Sequence, residues 1–384
     1  MMSGGGYGSY SHSGYAEAVD KTRDAMDYIN DYDNGFYRAE KTYLRTDNDN
    51  ISTGIRGATS FSSTFNQAIF DFVDRVGMRR VRISAKYHGS TMLTDSILGV
   101  RYIISDADKE INDDYELLSK EENYSVYKNP YALEIGYAAT DRVSGSLPDG
   151  STTFDNQNEL AELLLGRRVY KNITDIHPDG KAAEFTASES GLYYMDLGGL
   201  YTDKPIIEIN GVNQDYRFDY GSEKRIYYIG RINSGDVVRI SFENVDSFPD
   251  TKIAMIDTNE LKRGVEGIPS EKRLNVTDYG HTWLEGYVRL DAGELLFTTI
   301  PYENGWTAYV DGKKAEVICA QDTFIAVDAG EGSHHVKLRY RVPGFRISLA
   351  VSILTLLALL AAVYKEKLIN LIKRDKFKKS ENGV

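Results

Sequence analysis

Trp306-Thr307-Ala308-Tyr309-Val310-Asp311-Gly312 (WTAYVDG) is the stretch whose reading decides the fold. Strand alternation sends Trp306, Ala308 and Val310 to one face and Thr307, Tyr309 and Asp311 to the other. The first face is wholly apolar and reads as core. Asp311-Gly312 then supplies a two-residue hairpin turn. Downstream, residues 324–327 turn through Gly330-Glu331-Gly332 and return as 336–340. The same arrangement occurs earlier in the chain. Residues 206–209 enter an Asn210-Gly211 turn, and a second pair around Asn233-Ser234-Gly235 ends in 237–242. Val238-Arg239-Ile240-Ser241-Phe242 matches Val336-Lys337-Leu338-Arg339-Tyr340 in alternation. We read two β-sandwich modules, each with its own two-sheet core, joined by a connector with a short helix near 258–265.

Working outward toward the N-terminus, residues 15–30 read as an amphipathic helix with Tyr15, Val19, Met26 and Ile29 on one face. A strand over 36–44, a helix over 64–76 and a buried strand over 99–105 follow. Residues 115–119 and 124–128 form a hairpin pair. Residues 155–165 read as a helix, with Asp155 as N-cap and Gly166 as stop. The predicted class is α+β, mostly β. A flexible leader (1–14) precedes an α/β domain (15–150). The first β-sandwich module covers 151–268 and the second 269–344. A transmembrane helix (345–364) and a basic cytoplasmic tail (365–384) complete the chain.

Residues 347–364 are eighteen positions without a charge. At 1.5 Å per residue they span about 27 Å, against a hydrocarbon core of roughly 30 Å. The missing polar face and the basic flank argue against a buried core helix. Lys365, Lys367, Lys373, Arg374, Lys376, Lys378 and Lys379 follow, and the positive-inside rule puts them in the cytoplasm and the body outside. Met1-Met2-Ser3-Gly4-Gly5-Gly6 has neither the basic nor the apolar region of a signal peptide. The expectation is therefore either a tail-anchored protein with a cytosolic body, or a piece of a longer multi-pass chain whose other helices do the export.

The net charge is −12; residues 346–384 carry eight basic and three acidic residues, which leaves −17 on the other 345. So acidic a body disfavours nucleic acid as a partner. There are 28 Tyr against 14 Phe and 2 Trp. Tyrosine suits half-buried strands, the reading preferred here over a sugar-stacking surface. The single cysteine, Cys319, lies in an apolar run and reads as a small core residue.

No spacing of the six histidines puts two ligands on one helical face, and His334-His335 point to opposite faces of a strand. No metal or cofactor is expected. The acidic stretches 47–50 and 106–114 lack the glycine and glutamate spacing of a calcium loop. No nucleophile elbow or phosphate loop occurs, so no catalytic residue is assigned. The candidate substrate-binding residues are Arg38 and Glu40, on one face of the strand Phe36-Tyr37-Arg38-Ala39-Glu40, and Tyr309. The competing reading of Arg38 and Glu40 is an ion pair, and of Trp306 a core indole rather than a stacking platform.

Several stretches carry a family resemblance. They are FYRAEKTYLRTDNDN (36–50), TDSILGVRYIIS (94–105), YSVYKNPYALEIGYAA (124–139), FDNQNELAELLLG (154–166), IPYENGWTAYVDGKKAEV (300–317) and the terminal apolar helix. In this order they resemble the C-terminal part of the YfhO-type bacterial membrane proteins. The resemblance implies a C-type membrane glycosyltransferase that uses a polyprenyl-phosphate sugar on the outer face and glycosylates lipoteichoic acid or related envelope polymers. The family's catalytic acid lies in an early extracytoplasmic loop, so none carries over to this chain. The expected role is to position a cell-envelope glycopolymer acceptor beside the membrane. The alternative is a stand-alone, membrane-anchored surface protein that binds carbohydrate without catalysis.

Overall fold

The computed structural model describes residues 12–43, 46, 48–62, 64, 66–81, 84–106, 111–112, 114–198, 205–214 and 225–381. The leader up to residue 11 and most of the acidic stretch 106–114 lie outside the described residues. Residues 12–14, read as leader, instead open the first helix, His12–Tyr32. Its apolar face buries Val19, Met26 and Ile29, as the periodicity requires.

That helix packs on a four-stranded sheet ordered Arg38–Lys41, Val100–Asp106, Tyr124–Lys128, Glu116–Lys120. The first pair is parallel and the others antiparallel. Ala25, Met26 and Ile29 meet Tyr102, Ile104 and Val126 on one face of the sheet. Val100, Ile103 and Tyr127 face a larger core on the other. This core also receives the helices Gln67–Arg75, Met92–Leu98 and Thr153–Leu165. The last of these is capped by Thr152, whose hydroxyl accepts from the Asp155 amide, so Asp155 sits inside the first turn rather than at the cap. Gly166 ends the helix at φ 66°, a left-handed conformation that a side chain would strain.

The two later regions share one topology. The first five-stranded sheet runs His177–Asp179, Ala182–Thr186, Val237–Ser241, Ile206–Ile209, Val212–Asn213. The second runs Asn275–Gly280, Trp283–Leu290, Gly332–Tyr340, Trp306–Val310, Lys313–Ala315. Both hairpin turns form with two consecutive positive φ values, Asn210-Gly211 at 52° and 76° and Asp311-Gly312 at 50° and 78°. This primed turn matches the strand twist. The matched pentapeptides occupy the same central strand in each sheet. Ala308, Val336 and Leu338 are fully buried, with Trp306 and Val310 packed against them, so the apolar face of WTAYV is the core face.

Two expectations need correction. Residues 226–232 and 237–241 are not a hairpin pair. Ile226–Ile232 joins Gly191–Asp196, Lys252–Ile256 and Tyr170–Ile173 in a separate four-stranded sheet, and the Asn233-Ser234-Gly235 turn carries the chain from that sheet to the other. Residues 324–327 and 336–340 are divided in the same way. Alternating apolarity marks a strand but does not choose its neighbour. Secondly, Gly136–Thr140, assigned to the N-terminal region, is the edge strand beside Glu294–Pro301 and completes the four-stranded sheet of the last region.

The four-stranded sheets of the two later regions are each buried on two faces. In Gly191–Asp196, Tyr193 and Met195 face the five-stranded partner, while Leu192 and Tyr194 face the central helices. In Glu294–Pro301, Leu296 faces its partner sheet and Phe297 the central core. The chain ends in the helix Phe345–Glu381, whose portion Phe345–Lys367 is long and apolar enough to cross a bilayer and is buried against nothing.

Candidate functional site

Arg38 and Glu40 do not open onto a surface site. The Arg38 guanidinium donates to the Leu98 carbonyl at 2.6 Å, to Thr299 Oγ1 at 2.6 Å and to the Thr299 carbonyl at 2.9 Å. It ties three segments together. Burial lowers its pKa to about 10, which leaves it charged at neutral pH. Glu40 has no exposed surface. Its carboxylate accepts from the amides of Ala58 and Thr59, the latter at 2.8 Å. Burial raises its pKa, and those amide bonds oppose the rise. Tyr309 stands half-buried on the outer face of the last five-stranded sheet, opposite Lys337 and Lys314.

The open site is a cleft of about 550 Å³ between the N-terminal region and the edge of that sheet. Its walls include Phe36, Arg101, Glu134, Arg273, Tyr287 and Arg289. Glu134 is braced between two guanidinium groups, Arg101 at 3.5 Å and Arg273 at 3.6 Å. Arg101 also pairs with Asp33 at 2.9 Å. Arg273 donates to the carbonyls of Ile268 and Val265, so its plane is fixed. Arg56 lies over both Phe36 and Tyr279 (5.3 and 4.6 Å to the ring centroids) and holds the aromatic wall of the cleft against the sheet edge. Tyr287 is 56% exposed and tilts against His335, ring centroids 5.0 Å apart. An exposed phenol ring beside planar, pre-positioned charged groups suits a polyhydroxylated ligand. The ring can stack on an apolar sugar face, and the guanidinium and carboxylate groups can hydrogen-bond its hydroxyls. Among the described residues, no three His, Cys, Asp or Glu side chains converge as a metal site.

A second polar cluster is enclosed. Asp95, 2% exposed, accepts from Tyr87 Oη at 2.9 Å, Tyr115 Oη at 2.5 Å and Ser90 Oγ. A crevice of about 70 Å³ lies beside it. Burial pushes Asp95 up to about 6; the three hydroxyl donors pull it down, and Glu40 adds repulsion. A carboxyl raised above its unfolded value of 3.8 favours folding while protonated, so its contribution is present below pH 4 and is lost as pH rises through about 6. The loss is on the order of 3 kcal/mol. Asp95→Asn should therefore flatten the stability curve between pH 4 and 7, as read by chemical denaturation at each pH. A variant with the parent's slope would remove Asp95 as the cause. The sequence signal for this group is a Thr-Asp-Ser run inside an otherwise apolar segment, Met92–Leu98, whose every residue is buried.

Residues 3–352 match the family described as bacterial membrane protein YfhO. A terminal apolar helix behind a mostly β body thus belongs to a bacterial membrane protein. The chain is a member of the YfhO family. It is 24% identical to protein YfhO of Bacillus subtilis (strain 168) over 83% of its own length, and it spans 42% of that relative. A cryo-EM structure of arabinofuranosyltransferase AftD from mycobacteria aligns with 48% of this chain and 14% of that one. The identity there is 13% and the TM-score 0.21, too low to argue a shared fold.

Proposed function

We propose that this chain is the extracytoplasmic, membrane-tethered region of a glycosyltransferase-like protein that acts on cell-envelope polymers of the lipoteichoic acid type. In this reading it holds the acceptor beside the membrane. The sugar arrives on a polyprenyl phosphate bound by the membrane helices of the longer protein. The observation that carries the reading is the cleft's place in the molecule. Its Tyr287 wall belongs to the sheet whose central strand, Gly332–Tyr340, leads through Pro343-Gly344 into the membrane helix. The cleft lies at the Gly332 end of that strand and the helix follows its Tyr340 end, so a polymer held there is one strand length from the membrane anchor. The two-sheet regions then act as β-sandwich scaffolds, and the basic segment after Lys365 lies in the cytoplasm.

The reading requires the body to face outward. Ser146 is exposed, in the polar loop after the 3₁₀ turn Asp141–Ser144. In full-length protein carrying Cys319→Ser, a cysteine placed at Ser146 should react with a membrane-impermeant thiol reagent in intact cells. Reaction only after lysis would place the body in the cytosol and end the proposal.

A further inference from the structure

We infer that the cleft and the outer face of the last five-stranded sheet form one continuous track for a linear glycopolymer running toward the membrane helix. This rests on the glycan-binding reading above and specifies its ligand as a chain rather than a single sugar.

The register carries the argument. On the outer face, Arg289 and Ser333 form one row of the cleft wall, and Tyr287, also in that wall, pairs with His335 in the row after it. The next row holds Glu285, Lys337 and Tyr309. The row nearest the membrane helix holds Trp283 and Arg339. Tyr287 and Tyr309 are two residues apart along the strands and two strands apart across them. At about 3.4 Å per residue and 4.8 Å per strand, their Cα atoms lie roughly 12 Å apart. One sugar ring does not reach both phenols, whereas successive units of a chain do. Between the two rings, Lys337 is held by Glu285 at 2.7 Å, and His335 lies 3.8 Å from the same carboxylate. These groups offer donors and acceptors to hydroxyl or phosphate oxygens along the path.

The sister sheet gives the comparison. Strand for strand it has the same order, yet its outer face carries Glu184, Thr186, Glu208 and Arg239, while the aromatic Phe185 of its paired strands faces the core. Among the described residues, the outer-face aromatic pair belongs to the sheet that leads into the membrane helix.

The test uses the whole chain in detergent micelles or nanodiscs, titrated with de-acylated lipoteichoic acid fractionated by length. Affinity should rise from the single repeat unit to short oligomers and then level off. Tyr287→Ala should weaken every length by about tenfold or more, and Tyr287→Phe should restore binding. Tyr309→Ala should weaken only the longer chains. Thermal melts equal to the parent would show that neither change acts through unfolding. If the single unit binds as tightly as the chain, or Tyr309→Ala leaves long-chain binding unchanged, the track is wrong while the cleft stands. If no fraction binds the parent protein, both the track and the glycan reading fall.

Discussion

Replacing Phe297 with Ala is expected to destabilise the protein by about 3–5 kcal/mol. Phe297 has no exposed surface. It lies on Glu294–Pro301, a strand whose two faces serve different cores. Its ring packs at 5.5 Å from Tyr137 and 5.7 Å from Phe324, and Phe324 in turn meets Phe72 of the helix Gln67–Arg75 at 4.7 Å. The strand is also pinned by ladders to Gly136–Thr140 and Phe324–Val327, so the backbone cannot collapse into the void. A domain holds only about 5–15 kcal/mol in total, so the loss should be evident in a denaturant titration. A change below about 1 kcal/mol would mean that the central helices and the last sheet do not share a tightly packed core.

Arg38→Ala is the second large effect, roughly 2–5 kcal/mol. The guanidinium supplies three hydrogen bonds that join the strand Arg38–Lys41, the end of the helix Met92–Leu98 and the strand Glu294–Pro301. Truncation leaves the Leu98 and Thr299 carbonyls without that donor. Water must enter to replace it, or the segments separate. Arg38→Lys should recover only part of the loss, because an ammonium is a point charge and cannot reproduce the planar fork. Glycan affinity of whatever remains folded should match the parent. Were Arg38→Ala to melt like the parent and lose glycan binding, Arg38 would be a ligand contact and the strut assignment would fail.

Much of the local structure was legible. The apolar stripe of the first helix, the Asn210-Gly211 and Asp311-Gly312 turns and the inward face of Trp306, Ala308 and Val310 follow from periodicity and turn chemistry alone. So does the terminal helix, whose eighteen uncharged residues are long enough to span a bilayer and have no polar face. The family stretches were also readable, and family membership bears them out.

Less of the site could be read. Arg38 and Glu40 share a strand face, but alternation does not tell an outer face from an inner one when both sides are covered. Here both are, and the charges are satisfied internally. The cleft groups come from five separated places, Phe36, Arg101, Glu134, Arg273, and Tyr287 with Arg289. No spacing in the chain announces that they meet. The helix Met92–Leu98 escaped notice because every residue is buried, which erases the amphipathic stripe.

The sequence by itself determined the first helix, the strands that enter the Asn210-Gly211 and Asp311-Gly312 turns, those turns and the terminal apolar helix, because these depend on interactions between residues close in the chain. The tertiary structure alone decided which strands became neighbours, that Gly136–Thr140 completes a distant sheet, and that the cleft exists. Those outcomes depend on which apolar faces find one another across hundreds of residues, and alternation leaves that choice open.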